Sequence, residues 1–167
     1  MRVLYSFPHR LGAARICYTA WQQVLGLTSA GAEVVLFAGS VSRPVPKAVE
    51  VHTTLSRGRF RLPYKVIGPL RAMKLHDKIV AAQLRKLADE IDVVHLWPCG
   101  ALETIRTAKA LGIPTVLERP NAHTRFAWEV VAAEHSRIGI QTPHYDYQAS
   151  DPKLQREQAE FESCDFL

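Results

Sequence analysis

Short, continuous apolar runs alternate along this chain with longer stretches whose apolar positions recur at helical spacing. The first run, Arg2 to Phe7, holds Val3, Leu4 and Tyr5 together and predicts an opening strand. From Ala14 to Ala30, the residues Ile16, Ala20, Val24 and Leu27 repeat with the period of a helix, and Gly31 supplies its stop. Glu33 to Ala38 is a second buried strand closed by Gly39, and Val49 to Leu55 a third, at the sheet edge. Ser56 to Leu70, with two glycines and two prolines, reads as loop. Lys74 to Ile91 predicts a helix with Ile79, Val80, Leu84, Leu87 and Ile91 on one side. Asp92 to Trp97 is a fourth strand stopped by Pro98; Ala101 to Leu111 is a helix ended by Gly112; Ile113 to Leu117 is a fifth strand. Arg125 to Glu134 predicts a helix and Ser136 to Ser150 a loop. Asp151, with Pro152 behind it, is placed to cap a helix running to about Ser163. Cys164 to Leu167 then reads as the start of a sixth strand.

Apolar runs without alternation mean strands buried on both faces. No hairpin signal separates them, and helices intervene, so the pattern predicts an α/β fold: a Rossmann-like, doubly wound parallel sheet with helices on both faces. With 167 residues, 47% of them hydrophobic and 22% charged, the chain suits one globular domain spanning 1–167. No apolar run approaches the ~20 residues of a membrane span. The N-terminus lacks the apolar core and cleavage site of a signal peptide, and Cys17, Cys99 and Cys164 are odd in number and far apart. A reducing, cytoplasmic setting is expected.

Charge changes this picture in one segment. The net charge is +5, and between Arg57 and Lys78 stand Arg57, Arg59, Arg61, Lys65, Arg71, Lys74 and Lys78 against a single acid, Asp77. Such a block suits phosphates of an anionic lipid surface or of an anionic substrate. No nucleic-acid partner is expected, because the block holds only Phe60 and Tyr64 as aromatics and no recognition motif accompanies it.

In a doubly wound sheet, ligands sit beyond the carboxyl ends of the strands where strand order reverses. The segments brought there are Ser6 to Gly12, Trp97 to Gly100 and Glu118 to Thr124. The last of these places Glu118, Arg119, Asn121 and His123 directly after a core strand, able to converge with His9 and Arg10. Only Gly12 stands where a dinucleotide fold needs G-x-G-x-x-G, and no P-loop sequence occurs. No acid stands at the ends of the early strands, so a phosphorylated receiver site is not expected. His95 falls inside the fourth strand and reads as a core histidine; His123 falls in a loop, where a neutral imidazole can stabilise a developing charge. His9, His95 and His123 lack metal-ligand spacing, and no metal is expected.

Three stretches, MRVLYSFPHRLGAAR, DVVHLWPCGALETIRTAKALGIPTVLERPNAHT and REQAEFESCDFL, together resemble the N-terminal domain of family 4 retaining glycosyltransferases of the GT-B fold. The resemblance implies transfer of a sugar from a nucleotide-sugar donor to a sugar or lipid acceptor, with retention and without a metal ion or other cofactor. It implies a catalytic role for His123 at the donor sugar and an approach of Gly12 to the donor phosphate, although the family often has two adjacent glycines where this chain has Leu11-Gly12. His9, Arg10, Arg119 and Asn121 would face the acceptor or the cleft. The family's C-terminal nucleotide-sugar-binding domain is absent from this sequence, which implies a truncated form inactive alone. The resemblance also implies a peripheral contact of Arg57 to Lys78, beside Phe60, Leu62, Tyr64 and Ile67, with the inner face of an anionic membrane. The alternative is a non-catalytic Rossmann-like binding or interaction module.

Overall fold

The structure, a computed structural model, describes residues 1–62, 64–141 and 150–167. In chain order its elements are β1 (Arg2–Leu11), α1 (Ile16–Ser29), β2 (Glu33–Val41), β3 (Glu50–Thr53), β4 (Ser56–Arg57), β5 (Phe60–Arg61), α2 (Tyr64–Ile67) and α3 (Pro69–Leu84). A single 3-10 turn at Ala88–Glu90 leads to β6 (Val93–Leu96), α4 (Leu102–Leu111), β7 (Thr115–Leu117), α5 (Thr124–Arg137) and α6 (Asp151–Ser163).

Five strands form a parallel sheet in the order β3-β2-β1-β6-β7, so the order reverses between β1 and β6, as a doubly wound fold requires. Each face carries its own core. Leu4, Val35, Phe37, Val94, Leu96 and Leu117 pack under α3 and α4 with Val80, Leu84 and Ile105. On the opposite face Tyr5, Phe7, Leu36 and Trp97 pack with Ala20 and Val24 of α1. Burial of each large side chain contributes about 1.5–3 kcal/mol. This two-sided burial is why the strands read as unbroken apolar runs. Phe166 adds a parallel bridge to Val116, with backbone bonds to Leu117 and Thr115 of 2.9 and 3.1 Å, at the place where a sixth strand was expected.

Several boundaries differ from expectation. Strand β1 continues past Phe7 through Pro8, His9 and Arg10, which therefore belong to strand rather than loop. Its pairing with β2 shifts between Phe7 and Arg10, where Pro8 has no N–H to give the ladder. The backbone there presses on β2: a Cβ on Gly39 would meet the Pro8 carbonyl oxygen at 2.6 Å. The stretch expected as loop forms a hairpin, β4 with β5, turning at Gly58 with φ +58°, followed by α2. Helix α3 starts at Pro69 and ends at Leu84, earlier at both ends than its apolar period suggested. Gly68 at φ +81° followed by Pro69 is a helix start, and Leu87 and Ile91 reach the core from outside the helix. Helix α5 extends to Arg137, and residues 142–149 of the expected following loop lie outside the described residues. Helix α6 has Ser150, not Asp151, as its N-cap, without a side-chain cap bond. Among the described residues no helix is long and apolar enough to cross a membrane.

Candidate functional site

A cavity of about 410 Å³ opens beyond the carboxyl ends of β1, β6 and β7. The end of β1 gives it His9, and the β6–α4 loop gives Trp97, Pro98 and Cys99. The segment after β7 gives Arg119, Pro120, Asn121 and Ala122. Met73 of α3, Trp128 of α5 and Lys153 of α6 complete much of the wall. This is the topological switch of the sheet, where the strand order leaves a crevice between β1 and β6.

His9 is half-buried, with its ring edge-on to Phe7 at 5.5 Å. Burial, with the nearby charge of Lys153, lowers its pKa to about 4, so at neutral pH the imidazole is uncharged. Trp97 is fixed by a polar chain behind the wall. Its Nε1–H donates to the Tyr5 hydroxyl at 2.7 Å, and that hydroxyl donates to Gln23 Oε1 at 2.6 Å. Gln23 Nε2 then donates to Glu118 Oε2 at 2.8 Å. His95 stands 3.4 Å from the same carboxylate and 4.8 Å from the Tyr5 ring. Burial lowers the pKa of His95, with Glu118 pulling the other way. Desolvation raises that of Tyr5.

Beneath the cavity a buried ionic cluster closes the start of α4. Glu160 accepts from the backbone N–H groups of Cys99 (2.6 Å), Ala101 (3.0 Å) and Leu102 (3.2 Å). Asp77 accepts from those of Glu103 (2.8 Å) and Thr104 (2.9 Å) and from the Thr104 hydroxyl (2.6 Å). Arg156 ties the two carboxylates together: it pairs with Asp77, lies 3.2 Å from Glu160 and donates Nε–H to the Cys99 carbonyl at 2.9 Å. These bonds hold Cys99 in the left-handed region at φ +67°, a conformation costly for a residue with a Cβ. Burial pushes the Cys99 thiol up to about 12, so it is inert as a nucleophile at neutral pH. Burial also raises Glu160 to about 7, against the pull of Arg156 and the backbone donors.

A second buried histidine, His76, sits behind β1. It bonds Ser6 Oγ at 2.9 Å and Thr54 Oγ1 at 2.6 Å, and burial lowers its pKa to about 3. Beside it, Gly100 lets the β6–α4 loop approach β1: a Cβ there would meet Pro8 Cβ at 2.8 Å.

Of the residues singled out from sequence, His9, Arg119 and Asn121 meet on the cavity wall. Arg119 is held by Glu157 at 2.5 Å and by the Ala122 carbonyl, with its guanidinium 5.5 Å from the Phe161 ring centre. Arg10 is exposed at the end of β1 and is not among the wall residues. Gly12 is not on the wall either; at φ +80° its carbonyl accepts from Arg43 Nε at 2.8 Å, and a Cβ would strike the Arg43 side chain at 2.8 Å. That packing is sufficient reason for a glycine there. His123 caps α5, its Nδ1 accepting from the Arg125 N–H at 3.2 Å, and its ring stands edge-on to Phe161 at 5.2 Å. It is not on the cavity wall. Among the described residues no group of three or more His, Cys, Asp or Glu is arranged to hold a metal.

Sequence reasoning missed Asp77, Arg156, Glu157 and Glu160, all buried. A signal existed for three of them. Leu154, Glu157 and Glu160 fall at the core-facing spacing of α6, with Arg156 beside them, so charged groups stand where a surface helix carries apolar ones.

No family model matches the chain, and no curated protein sequence does. Solved structures share its fold. The apo structure of Phytolacca americana UGT2 superposes with a TM-score of 0.53 at 14% identity, covering 90% of this chain. The same enzyme complexed with UDP-2fluoro-glucose and pterostilbene gives 0.53 and 14% over 89%. A ugt transferase from Siraitia grosvenorii in complex with UDP gives 0.47 and 17% over 82%. The chain shares its parallel α/β fold with part of the Phytolacca americana UGT2 structures. The chain spans between 28% and 36% of the length of those structures. At these identities the likeness is one of fold, and it extends neither to family 4 nor to a retaining mechanism.

Proposed function

We propose that this chain is the acceptor-side domain of a glycosyltransferase, which moves a sugar from a nucleotide-sugar donor to an acceptor once a donor-binding domain completes the cleft. The observation that supports this most is the cavity at the β1–β6 switch, carrying a neutral His9, in a fold shared with UDP-glycosyltransferases. An uncharged, partly desolvated imidazole can accept a hydrogen bond from an acceptor hydroxyl as it attacks. Trp128 gives flat apolar surface for a sugar ring, and Asn121 a donor and an acceptor at the rim.

Retention at the anomeric carbon, with His123 at the reaction centre and Gly12 near the donor phosphate, is the finer reading carried by the resemblance to family 4. With the His123 ring on Phe161, that reading needs the α5–α6 contact to open. The two imidazoles are separable. With a nucleotide-sugar-binding domain joined to this one, His9→Ala is expected to abolish transfer if the cavity holds the acceptor. Transfer lost in His123→Ala and kept in His9→Ala overturns the role of His9. The 167-residue chain alone is expected to turn over no donor; steady turnover by it overturns the half-enzyme reading. A joined protein that binds UDP-sugar yet never transfers overturns the transferase reading itself.

Membrane contact belongs to the same proposal. Arg57, Arg59, Arg71, Lys74 and Lys78 are exposed beside Phe60, Val66 and Leu75. Asp77, the segment's acid, is turned inward onto Arg156 and α4, so it does not offset that surface. Flotation with anionic vesicles, and none with neutral ones, is expected; binding indifferent to lipid charge overturns it.

A further inference from the structure

We infer that α5, with the segment leading into it, is a lid on the cavity, held shut by a catch on α6. The inference concerns access to the cavity and stands whether or not the transferase reading does.

One side of the cavity belongs to this piece of chain: Arg119, Asn121, Thr124, Ala127 and Trp128 all line it. The helix itself is lightly packed. None of the 14 residues of α5 is buried, whereas the ten of α4 bury Leu102, Thr104, Ile105, Thr107 and Ala108. Phe126, Val130 and Val131 are exposed. A helix takes most of its stability from the face it buries, so α5 owes its place to its attachments. Glu118 is still tied to the sheet, its N–H donating to the Leu96 carbonyl at 2.8 Å, and α5 begins at Thr124. The hinge therefore falls between them.

The attachment is made around the first turn of α5 by two residues one turn apart on α6. Buried Glu157 accepts from the Thr124 N–H at 3.3 Å and hydroxyl at 3.1 Å, and it pairs with Arg119 at 2.5 Å. The Phe161 ring takes His123 edge-on at 5.2 Å and the Arg119 guanidinium at 5.5 Å.

This catch is closed yet unsatisfied. Arg119 Nε, His123 Nε2 and Glu157 Oε2 are sealed from solvent with no hydrogen-bond partner. His123 Nδ1 accepts from the Arg125 N–H, so Nε2 carries the proton. The unmet groups are thus two donors and one acceptor, all of which regain water when the catch opens. The ion pair and the ring contacts favour the shut state; the three desolvated atoms oppose it. With no buried face to lose, α5 can open locally while the two cores stay folded. Opening draws Ala127 and Trp128 off the wall and widens the entrance for a ligand.

The test is hydrogen exchange of the purified chain read by mass spectrometry, with iodoacetamide labelling of Cys99, buried at the cavity wall, mapped in parallel. Amides of α5 are expected to exchange together and faster than those of α4. Glu157→Ala removes the catch and should speed α5 by about tenfold or more, through the loss of charge-assisted hydrogen bonds, with α1 unmoved. Thr124→Val, a milder cut at the same catch, should speed α5 by about threefold. Labelling of Cys99 should accelerate in step with α5 in both variants. Exchange of α5 at the pace of α1 and α4 in the native chain overturns the lid. So does a Glu157→Ala effect spread over every helix, which makes Glu157 a brace of the whole fold. If Glu157→Ala does not fold, Thr124→Val decides alone, and an unmoved α5 in it overturns the catch. Cys99 labelling that stays constant while α5 exchange rises makes α5 a loose helix rather than a cover, and overturns the inference as well.

Discussion

Helices α1 and α4 begin one strand apart, α1 after β1 and α4 after β6, on either side of the switch where the sheet reverses its order. Both present backbone N–H groups and the positive end of a helix dipole. At α4 two carboxylates from other helices, Asp77 and Glu160, take up those groups, and Arg156 locks the pair. At α1 the N-cap residue Arg15 makes no side-chain cap bond, no acid lies in the first turn, and among the described residues no other side chain bonds its first N–H groups; its first residue, Ile16, borders the cavity. The carboxyl edge of a Rossmann-like sheet is thus not uniformly a binding edge. One helix start is closed by the protein's own anions, and the other lies against open space. The closed start should govern stability, and the open one binding.

The largest effect expected is at the closed start. Asp77→Ala leaves Arg156 buried without its main partner and backbone donors of α4 unmet, and should cost about 3–5 kcal/mol in urea unfolding. A loss below about 1 kcal/mol would show that the cluster does not hold the helix.

Next comes pH. His76 has a folded pKa lowered to about 3, against about 6.5 in the unfolded chain. The unfolded state therefore binds the extra proton first. The stability that neutral His76 contributes is present above pH 6.5 and is lost as pH falls toward 3, amounting to about 2 kcal/mol by pH 5. Urea midpoints at pH 7 and pH 5 should differ less in His76→Gln than in the native chain; an unchanged difference would place the acid sensitivity elsewhere.

Gly100→Ala forces a Cβ to within 2.8 Å of the Pro8 ring and should cost about 1–3 kcal/mol by overpacking, shifting the loop that carries Trp97. A thermal midpoint unaltered by that methyl would mean the loop and β1 are not tightly packed.

The smallest expected change in stability, within about 0.5 kcal/mol, is for Ile16→Ala at the exposed first residue of α1, the open start. If that substitution destabilises as much as Asp77→Ala, the two helix starts do not divide stability from binding, and the contrast fails.

Element order was readable because burial leaves its mark on composition. Strands covered on both faces read as apolar runs, and Gly31 and Gly112 stand where α1 and α4 need a left-handed residue just past their ends. Two kinds of feature escaped. The β4–β5 hairpin pairs only two residues on each side, too few for an alternation to show. The reach of β1 through Pro8 to Leu11 rests on pairing with β2 across a register shift, which a proline in the sequence argues against.

The candidate site divides in the same way. The residues from Glu118 to His123 drew notice as a set, but their destinations differ. Glu118 joins Gln23 behind the sheet, Arg119 and Asn121 reach the cavity, and His123 caps α5. Periodicity places a residue near a sheet edge; it does not choose the direction of a side chain leaving an irregular segment.

The sequence by itself therefore determined the sheet, its helices and the edge at which polar groups gather, because those follow from local apolar patterning and from the stops between elements. Only the tertiary structure decided which carboxylates are buried at the start of α4 and which histidine borders the cavity. Those outcomes depend on pairs such as Asp77 with Arg156 and Cys99 with Glu160, separated in sequence by 79 and 61 residues. Their charges are tolerable inside the protein only because folding brings each to its partner.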